Sequence, residues 1–358
     1  MPVTDTGGGD FPSGVSPLAR AFETLDSLPL AARHLLDTAP GFFSTRAWWD
    51  TVLVHAMPPA ARPCFLAVRD AGAIRAVFPM LRDGGDFRSL TTAYTCLYDP
   101  PIDPAANRAA VFAAFAKACR GHATTRLDAL DRDLEPEIAA GARAAGLVPA
   151  RFDHFGNWHE DIAGLDWAGY LARRPGALRE TIRRRTRRAE RLDGARFQMF
   201  RDPADMEAGI AAFETVYARS WKEPEPFPAI NPAQIRAAAR LGRARLAVWF
   251  LGDTPAAAQF WVVEPHQATV LKLAHDEAFK AHSPGTVRTA WTIRYLLERE
   301  HPPMLDFGRG DDPYKADWVS ARRQRTGLLL INPRKPAGLL ALTRHAMGRL
   351  RARFRGAP

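Results

Sequence analysis

The chain has 358 residues, 47% hydrophobic and 25% charged, which excludes bulk disorder and provides for two cores of about 150–180 residues each. Its formal charge of +10, from 49 Lys plus Arg against 39 Asp plus Glu, suits a polyphosphate, nucleic-acid or acidic-lipid partner without choosing among them. No apolar run reaches the roughly 18 residues of a membrane span, and Cys64, Cys96 and Cys119 cannot all pair within one chain, so a cytoplasmic protein with buried free thiols is expected.

Residues 1–17 are rich in Gly, Pro, Ser and Asp, lack the pattern of a secretion signal, and read as a loose leader. Phe42, Phe43, Trp48 and Trp49 accompany an expected helix that lays aromatic rings on a sheet. Alternating segments at 64–69 and 73–80 flank a turn at 70–72, the pattern of a hairpin. A helix over 105–119, a strand over 124–129 and a helix over 134–145 follow, which makes the first half mixed α/β. Residues 175–192 form an expected helix with a sparse apolar stripe, Leu178, Ile182, Ala189 and Leu192, and arginines over most of its remaining surface. It is either a solvated basic helix or an anion-binding helix that serves an active site.

The second half opens with helices over 203–218 and 231–241. Strands at 244–251, 256–263 and 268–274 then make an antiparallel meander. After His282-Ser283-Pro284-Gly285 comes a helix over 286–299, in which Val287, Ala290, Trp291, Arg294 and Leu297 recur at three- and four-residue steps. A strand at 303–307, a loop at 308–312, a helical turn at 314–318 and a strand at 327–331 precede a closing helix marked by Leu339, Leu342, Ala346 and Leu350. The expected division is a leader at 1–17, one domain at 18–174, a basic helix and first strand at 175–200, and a second domain at 201–358.

Several segments taken together carry a family resemblance: Ser220-Trp221-Lys222, Ala256-Ala257-Ala258-Gln259, Leu271-Lys272-Leu273-Ala274-His275-Asp276, Ser283-Pro284-Gly285, and the run from Leu305-Asp306-Phe307-Gly308 through Asp311-Asp312-Pro313-Tyr314-Lys315. The ordered series, dense over 210–332, resembles GNAT acetyltransferases of the CelD/BioF2-like type, relatives of the FemAB-like aminoacyl transferases. The resemblance implies tandem GNAT-like (acyl-CoA N-acyltransferase) domains, each a mixed, mostly antiparallel sheet flanked by helices. It also implies that the first domain is degenerate, since that half has no counterpart of the SPG or DFGRGD segments.

The same resemblance implies acyl-CoA, acetyl-CoA first, as co-substrate, with no tightly bound cofactor and no metal. Its pantetheine would run along the strand at 268–275. Its phosphates would meet Ser283, Pro284, Gly285 and Thr286, where free N–H groups at a helix start favour anions, with Lys272 and Lys315 as further donor contacts. The tetrapeptide also reads as a plain helix cap, and Lys315 as a salt bridge to Asp311 four residues earlier. The family's usual Gly-rich acetyl-CoA loop is absent, which leaves acyl carrier protein and aminoacyl-tRNA as alternative donors.

Acyl transfer to an amine needs a neutral acceptor, a polarised thioester carbonyl and a protonated leaving thiolate. Asp306, Asp311 and His275 are the candidate bases and Tyr314 the candidate acid. Each has a structural alternative: a backbone-bonded carboxylate, a loop cap, a satisfied core histidine and aromatic packing. Trp221, Lys222, Glu223 and Gln259 are the candidate acceptor side. No HExxH, GxSxG or Walker A segment is present, so direct attack in a ternary complex is expected. The competing readings are a FemAB-like aminoacyl or peptidyl transferase fed by tRNA and a non-enzymatic basic interaction or nucleic-acid-binding protein. The expected acceptor is a small molecule or glycan precursor, and the expected assembly a monomer or homodimer.

Overall fold

A computed structural model describes residues 17–355, with side chains for 17–347. The expected leader, except Pro17, and the side chains at the end of the basic tail lie outside the described residues. In chain order the elements are β1 (Leu18–Phe22), α1 (Leu30–Asp37), α2 (Arg46–His55), β2 (Arg62–Asp70), β3 (Ala73–Asp83), β4 (Asp86–Ser89), α3 (Arg108–Cys119), β5 (Thr124–Leu130), α4 (Leu134–Ala144) and β6 (Val148–Asp161). Next come α5 (Trp167–Ala172), α6 (Gly176–Glu190), β7 (Ala195–Phe200), α7 (Met206–Ala218), α8 (Ile230–Arg240), β8 (Ala244–Leu251), β9 (Thr254–Glu264) and β10 (Gln267–His275). The chain closes with α9 (Pro284–Tyr295), β11 (Met304–Asp306), α10 (Lys315–Trp318), β12 (Ala321–Ile331) and α11 (Pro336–Arg355).

Contacts gather these elements into two compact units. One takes in the described residues up to Trp49, Met57–Phe155 and those from Gln324 onward; the other takes in Asp50–Ala56 and Gly156–Arg323. Within the first, the strand order is β1-β2-β3-β4-β5-β12, antiparallel except for the β4/β5 pair. Within the second it is β7-β8-β9-β10-β11-β6, antiparallel except for β10/β11. The two units thus repeat one succession: strand, two helices, three-strand meander, helix, parallel strand, helix.

The expected boundaries at 174 and 200 differ from this division. Residues 156–174 group with the second unit, and residues from Gln324 onward with the first. The reason is the closing strands. Residues His159–Asp161 of β6 pair with β11, and Thr326–Ile331 of β12 pair with β5, so each unit is completed by a strand from the other half of the sequence.

Local chemistry explains most elements. The β2/β3 hairpin turns at Ala71 and Gly72, both at positive φ (48° and 82°), the turn geometry whose twist matches that of the flanking strands. In the first unit, Phe43 meets Trp48 edge to face at 4.9 Å, and Phe78 stacks on Phe115 at 4.2 Å. In the second, α9 seals one face of its sheet: Ala290, Ile293 and Leu297 pack with Trp261, Leu305 and Phe307. The helix expected over 286–299 begins earlier, at Pro284, and widens into a π-helical turn over Leu296–Glu300 before His301 ends it at φ 51°. Cys64 and Cys119 are buried; desolvation raises both thiols, Cys119 to about 12, so neither supplies a thiolate near neutral pH. No helix of the described residues is long and apolar enough to cross a membrane.

Candidate active site

The site begins where β10 and β11 part. They pair in parallel only at Ala268–Leu305 and Thr269–Asp306, whereas β10 stays paired with β9 as far as His275–Ala257. From Val270 onward, one edge of β10 therefore faces a wedge with no strand continuing the ladder. The β9/β10 register slips between Val270 and Lys272, and such a bulge re-aims the backbone beside an opening.

Asp306 holds the wedge open. Its Oδ1 accepts from Asn157 Nδ2 and from the Gly308 N–H, both at 2.7 Å, and its Oδ2 accepts from Arg323 at 2.5 Å. Asn157 also donates to the Gly308 carbonyl at 2.8 Å and accepts from Arg323 Nε at 2.5 Å. Gly308, at φ 63°, makes the turn that a Cβ would strain, while the Phe307 N–H bonds to Trp158 O of β6 at 2.8 Å. The chain is pulled toward β6 and away from β10. The expectation of Asp306 as a base is corrected: buried to 3% exposure and holding three donors, its carboxylate braces the loop.

Asp311 and Lys315 are likewise engaged. Asp311 forms a two-pronged pair with Arg322 (2.8 and 2.5 Å) and accepts from Trp158 Nε1 at 2.7 Å. The Arg322 hydrogen bonds, then that of Trp158, hold its carboxyl below the usual range, which disfavours proton uptake and corrects its assignment as a base. Lys315 does not pair with Asp311. It is buried and its Nζ donates to the Arg309 and Gly310 carbonyls (2.8 and 3.2 Å) and pairs with Asp312 at 3.2 Å. It ties the loop together and has no free ammonium to offer a donor, which corrects that expectation too.

Ser283, Pro284, Gly285 and Thr286 form the start of α9. The first helical bond runs from the Val287 N–H to the Ser283 carbonyl at 3.1 Å, so the Gly285 and Thr286 N–H groups have no intrahelical acceptor. Ser283 sits at φ 56°, ψ 49° and makes no side-chain cap, because capping by a hydroxyl requires extended backbone. Relief of this left-handed conformation predicts that Ser283→Gly stabilises the protein by up to about 1 kcal/mol, measurable by denaturant unfolding. A Cβ on Gly285 would meet only His275 Nδ1, at 3.7 Å, so this residue's bareness serves nothing inside the protein.

His275, at the end of β10, lies against that helix start. Its ring stacks obliquely on Trp221 at 4.4 Å, and its Nε2 is 3.3 Å from Glu277. Burial first, and then the charges of Arg288 and Lys280, outweigh Glu277 and lower it below 6.5. Its imidazole is neutral at pH 7.

The loop between α7 and α8 covers the other side. Trp221 is half exposed with Lys222 Nζ 5.6 Å from its ring centre, and Glu223 faces solvent. Glu225, two residues on, is the carboxylate that turns inward: it accepts from Tyr217, from Lys272 Nζ and from Asn231 (3.4 Å). Lys272 is therefore tied to an acid and is no free phosphate ligand. Lys222 is lowered by burial and by Lys272, against the opposing fields of Glu225 and Asp312, which brings this loop, the bulge and the 309–315 loop within mutual electrostatic reach.

Three interior groups complete the site. Gln259 on β9, opposite Leu273 and Ala247, is fully buried with neither amide atom bonded; Thr269 Oγ1, at the apex of the wedge, is also buried without a partner. Arg288, one turn into α9, is 1% exposed and donates to the Ala258 carbonyl and to Thr289 Oγ1 (3.4 Å), with no acidic partner among the described residues. Desolvation pulls it down to about 9, so it stays charged at pH 7. Tyr314 is raised by burial and by Asp312, against the pull of Arg288, and keeps its proton. Sequence reasoning read Glu225 with Glu223 as acidic groups that could attract a cationic acceptor, without telling the two apart, and missed Asn157, Arg288 and Arg323; the polar positions inside β6 and an arginine on the sheet-facing side of α9 were the available signals.

Residues 176–316 match the family model described as Acetyltransferase (GNAT) domain. The fold is similar to a crystal structure of FemX, with TM-score 0.59 at 10% identity, covering 87% of this chain and 98% of that one. It is also similar to the C-terminal domain of a putative lysylphosphatidylglycerol synthetase from Agrobacterium fabrum, with TM-score 0.54 at 16% identity, covering 79% and 87% of the two chains. A third similar structure is L-PGS from Bacillus licheniformis, with TM-score 0.51 at 12% identity, covering 83% and 95%. A comparison of the sequence with curated proteins returns no match.

Proposed function

We propose that the chain is an N-acyltransferase that moves an acyl group from acyl-CoA to an amine by direct attack in a ternary complex, a reading supported by the match of residues 176–316 to the GNAT acetyltransferase family model. The observation that carries this reading is the wedge: a bulged β10 edge without a ladder partner, leading straight to the unbonded N–H groups that open α9.

A thioester donor fits there as follows. Its phosphates lie against Gly285 and Thr286, next to His275 and above the Arg288 charge. Its pantetheine amides pair with the free edge of β10. Its carbonyl reaches the bulge at Val270–Lys272, where backbone N–H groups meet the charge that develops on oxygen. The amine enters from the Trp221 side and is held by Glu225, whose carboxylate can exchange Lys272 for the acceptor ammonium and take its proton. The tetrahedral adduct then expels the thiolate, and Tyr314, protonated at neutral pH, is the acid proposed to meet it. His275 belongs to the phosphate end in this arrangement, and no longer to proton abstraction.

Calorimetry with acetyl-CoA and free CoA tests the donor. Saturable binding is expected, weakened at least about tenfold by Gly285→Val through a clash with phosphate, with thermal unfolding measured alongside as the control on folding, since a Cβ there meets nothing nearer than His275 Nδ1 at 3.7 Å. The His275 titration, followed by NMR, is expected below 6.5 in the free protein and to rise on CoA binding, because an adjacent anion favours imidazolium. Equal binding by wild type and Gly285→Val would move the donor elsewhere. No binding of any CoA species would sink the donor assignment and favour aminoacyl-tRNA, a second reading supported by the exposed arginines of α6.

A further inference from the structure

A second concavity in this unit is independent of the wedge. A groove of about 710 Å³ opens between α5, α6, β7 and α9. Leu171, Ile182, Phe197, Ala290 and Trp291 form its apolar walls, and the Phe197 and Trp291 rings lie nearly parallel, 5.0 Å apart, as a flat side. Arg179, Arg183 and Arg187 recur every four residues along α6 and Arg294 faces them from α9, so the rim is basic over two helical turns.

The charges are unevenly matched. Glu190 is the one acidic residue that lines the groove. Arg183 and Arg294 have exposed partners on their own helices, Glu180 at 2.8 Å and Glu298 at 2.7 Å; such pairs are weak and easily exchanged. Arg179 and Arg187 make no ion pair among the described residues. The Thr186 hydroxyl, which also lines the groove, is buried without a hydrogen-bond partner.

We propose that this groove binds an anionic lipid through one alkyl chain, with the chain in the trough and the phosphate at the arginine rim. An open apolar trough is a binding surface in search of cover, and arginine suits its edge because the aliphatic stem lies on apolar surface while the planar guanidinium grips phosphate with paired hydrogen bonds. A nucleic-acid strand would meet the rim but leave the greasy walls unused. An uncharged hydrocarbon would fill the walls but leave the arginines unanswered. A lipid phosphate satisfies both.

Calorimetric titration of the full chain with octyl, decyl and dodecyl phosphate below their micelle thresholds, with dodecyl maltoside and inorganic phosphate as controls, tests this. The alkyl phosphates are expected to bind at one site, about threefold to fourfold tighter per added methylene, and the two controls not to saturate. The double variant Arg179→Ser/Arg187→Ser is expected to weaken dodecyl phosphate about tenfold or more, and Thr186→Trp to block it by filling the trough, both with unaltered unfolding transitions. Equal binding of dodecyl maltoside, affinity independent of chain length, or full affinity in the double variant would each overturn the proposal. So would co-sedimentation with phosphatidylglycerol vesicles without binding of monomeric dodecyl phosphate, since the basic surface alone would then account for the attraction. These results do not depend on the CoA titrations, so the two readings fail separately.

Discussion

Asp306→Ala is expected to destabilise the second unit by about 3–5 kcal/mol and to abolish donor binding with it. The carboxylate is 4% exposed and pairs with Arg323 at 26% exposure; it also satisfies the Asn157 amide and the Gly308 N–H. Removing it leaves the Gly308 N–H and one Asn157 N–H without that acceptor and takes the carboxylate from the Arg323 guanidinium, which keeps Asn157 Oδ1; the orphaned groups cost more than the lost contacts themselves. The turn at Gly308 then loses its anchor, and β11 is free to follow β10 and close the wedge. Denaturant unfolding and CoA calorimetry on the same samples check both consequences. Asp306→Asn separates the bracing role from a chemical one, because the amide keeps an oxygen for Gly308 but forfeits the charge. A partial loss of stability with turnover reduced in proportion to folded protein fits a brace. Unchanged stability with turnover gone would restore Asp306 as the base.

The fold was legible where the sequence obeys its local rules. The meander from β8 to β10 alternates and breaks at turn residues, the β2/β3 hairpin carries a glycine at its left-handed position, and α9 announces itself by its spacing. What was not legible lies in β6. Asp153, His154, Asn157, His159 and Glu160 interrupt any apolar alternation across its fourteen residues, so periodicity found no strand there. Those residues are polar because they work: Asn157 braces the Gly308 turn, and Glu160 accepts from Arg174 and from the Ser320 N–H at 3.0 Å. The same strand completes the second unit from the first half of the sequence, which is why boundaries drawn along the chain missed the division.

The candidate site shows a related pattern. Ser283 and Gly285 open α9, and His275, read from the sequence as a base, lies beside them. Charged residues in the same motifs were harder to assign, because a sequence shows a charge but not what it faces. Asp311 and Lys315 stand four apart and read as a pair, yet each bonds elsewhere. Glu223 and Glu225 read alike, yet only Glu225 turns inward to Tyr217 and Lys272.

Arg288→Met is expected to stabilise the protein by about 1–4 kcal/mol, a shift of several degrees in the melting of this unit, while weakening the donor. A fully buried guanidinium without a carboxylate loses its hydration and regains only the Ala258 carbonyl and the Thr289 hydroxyl, with Nε left unbonded. A thioether of similar length fills the same space without that penalty. A residue that burdens the fold is retained when it serves the site, and Arg288 stands one turn inside the helix start proposed to hold phosphate, adding a full charge to the partial one of the helix end. Its field is felt at His275, which it helps to lower. In Arg288→Met, His275 is therefore expected to titrate closer to 6.5, and CoA to bind about tenfold or more weakly. Calorimetry and His275 NMR on the variant read both. Destabilisation by Arg288→Met would mean that the two hydrogen bonds outweigh desolvation, and unchanged CoA affinity in a stabilised variant would remove the charge from the donor site altogether.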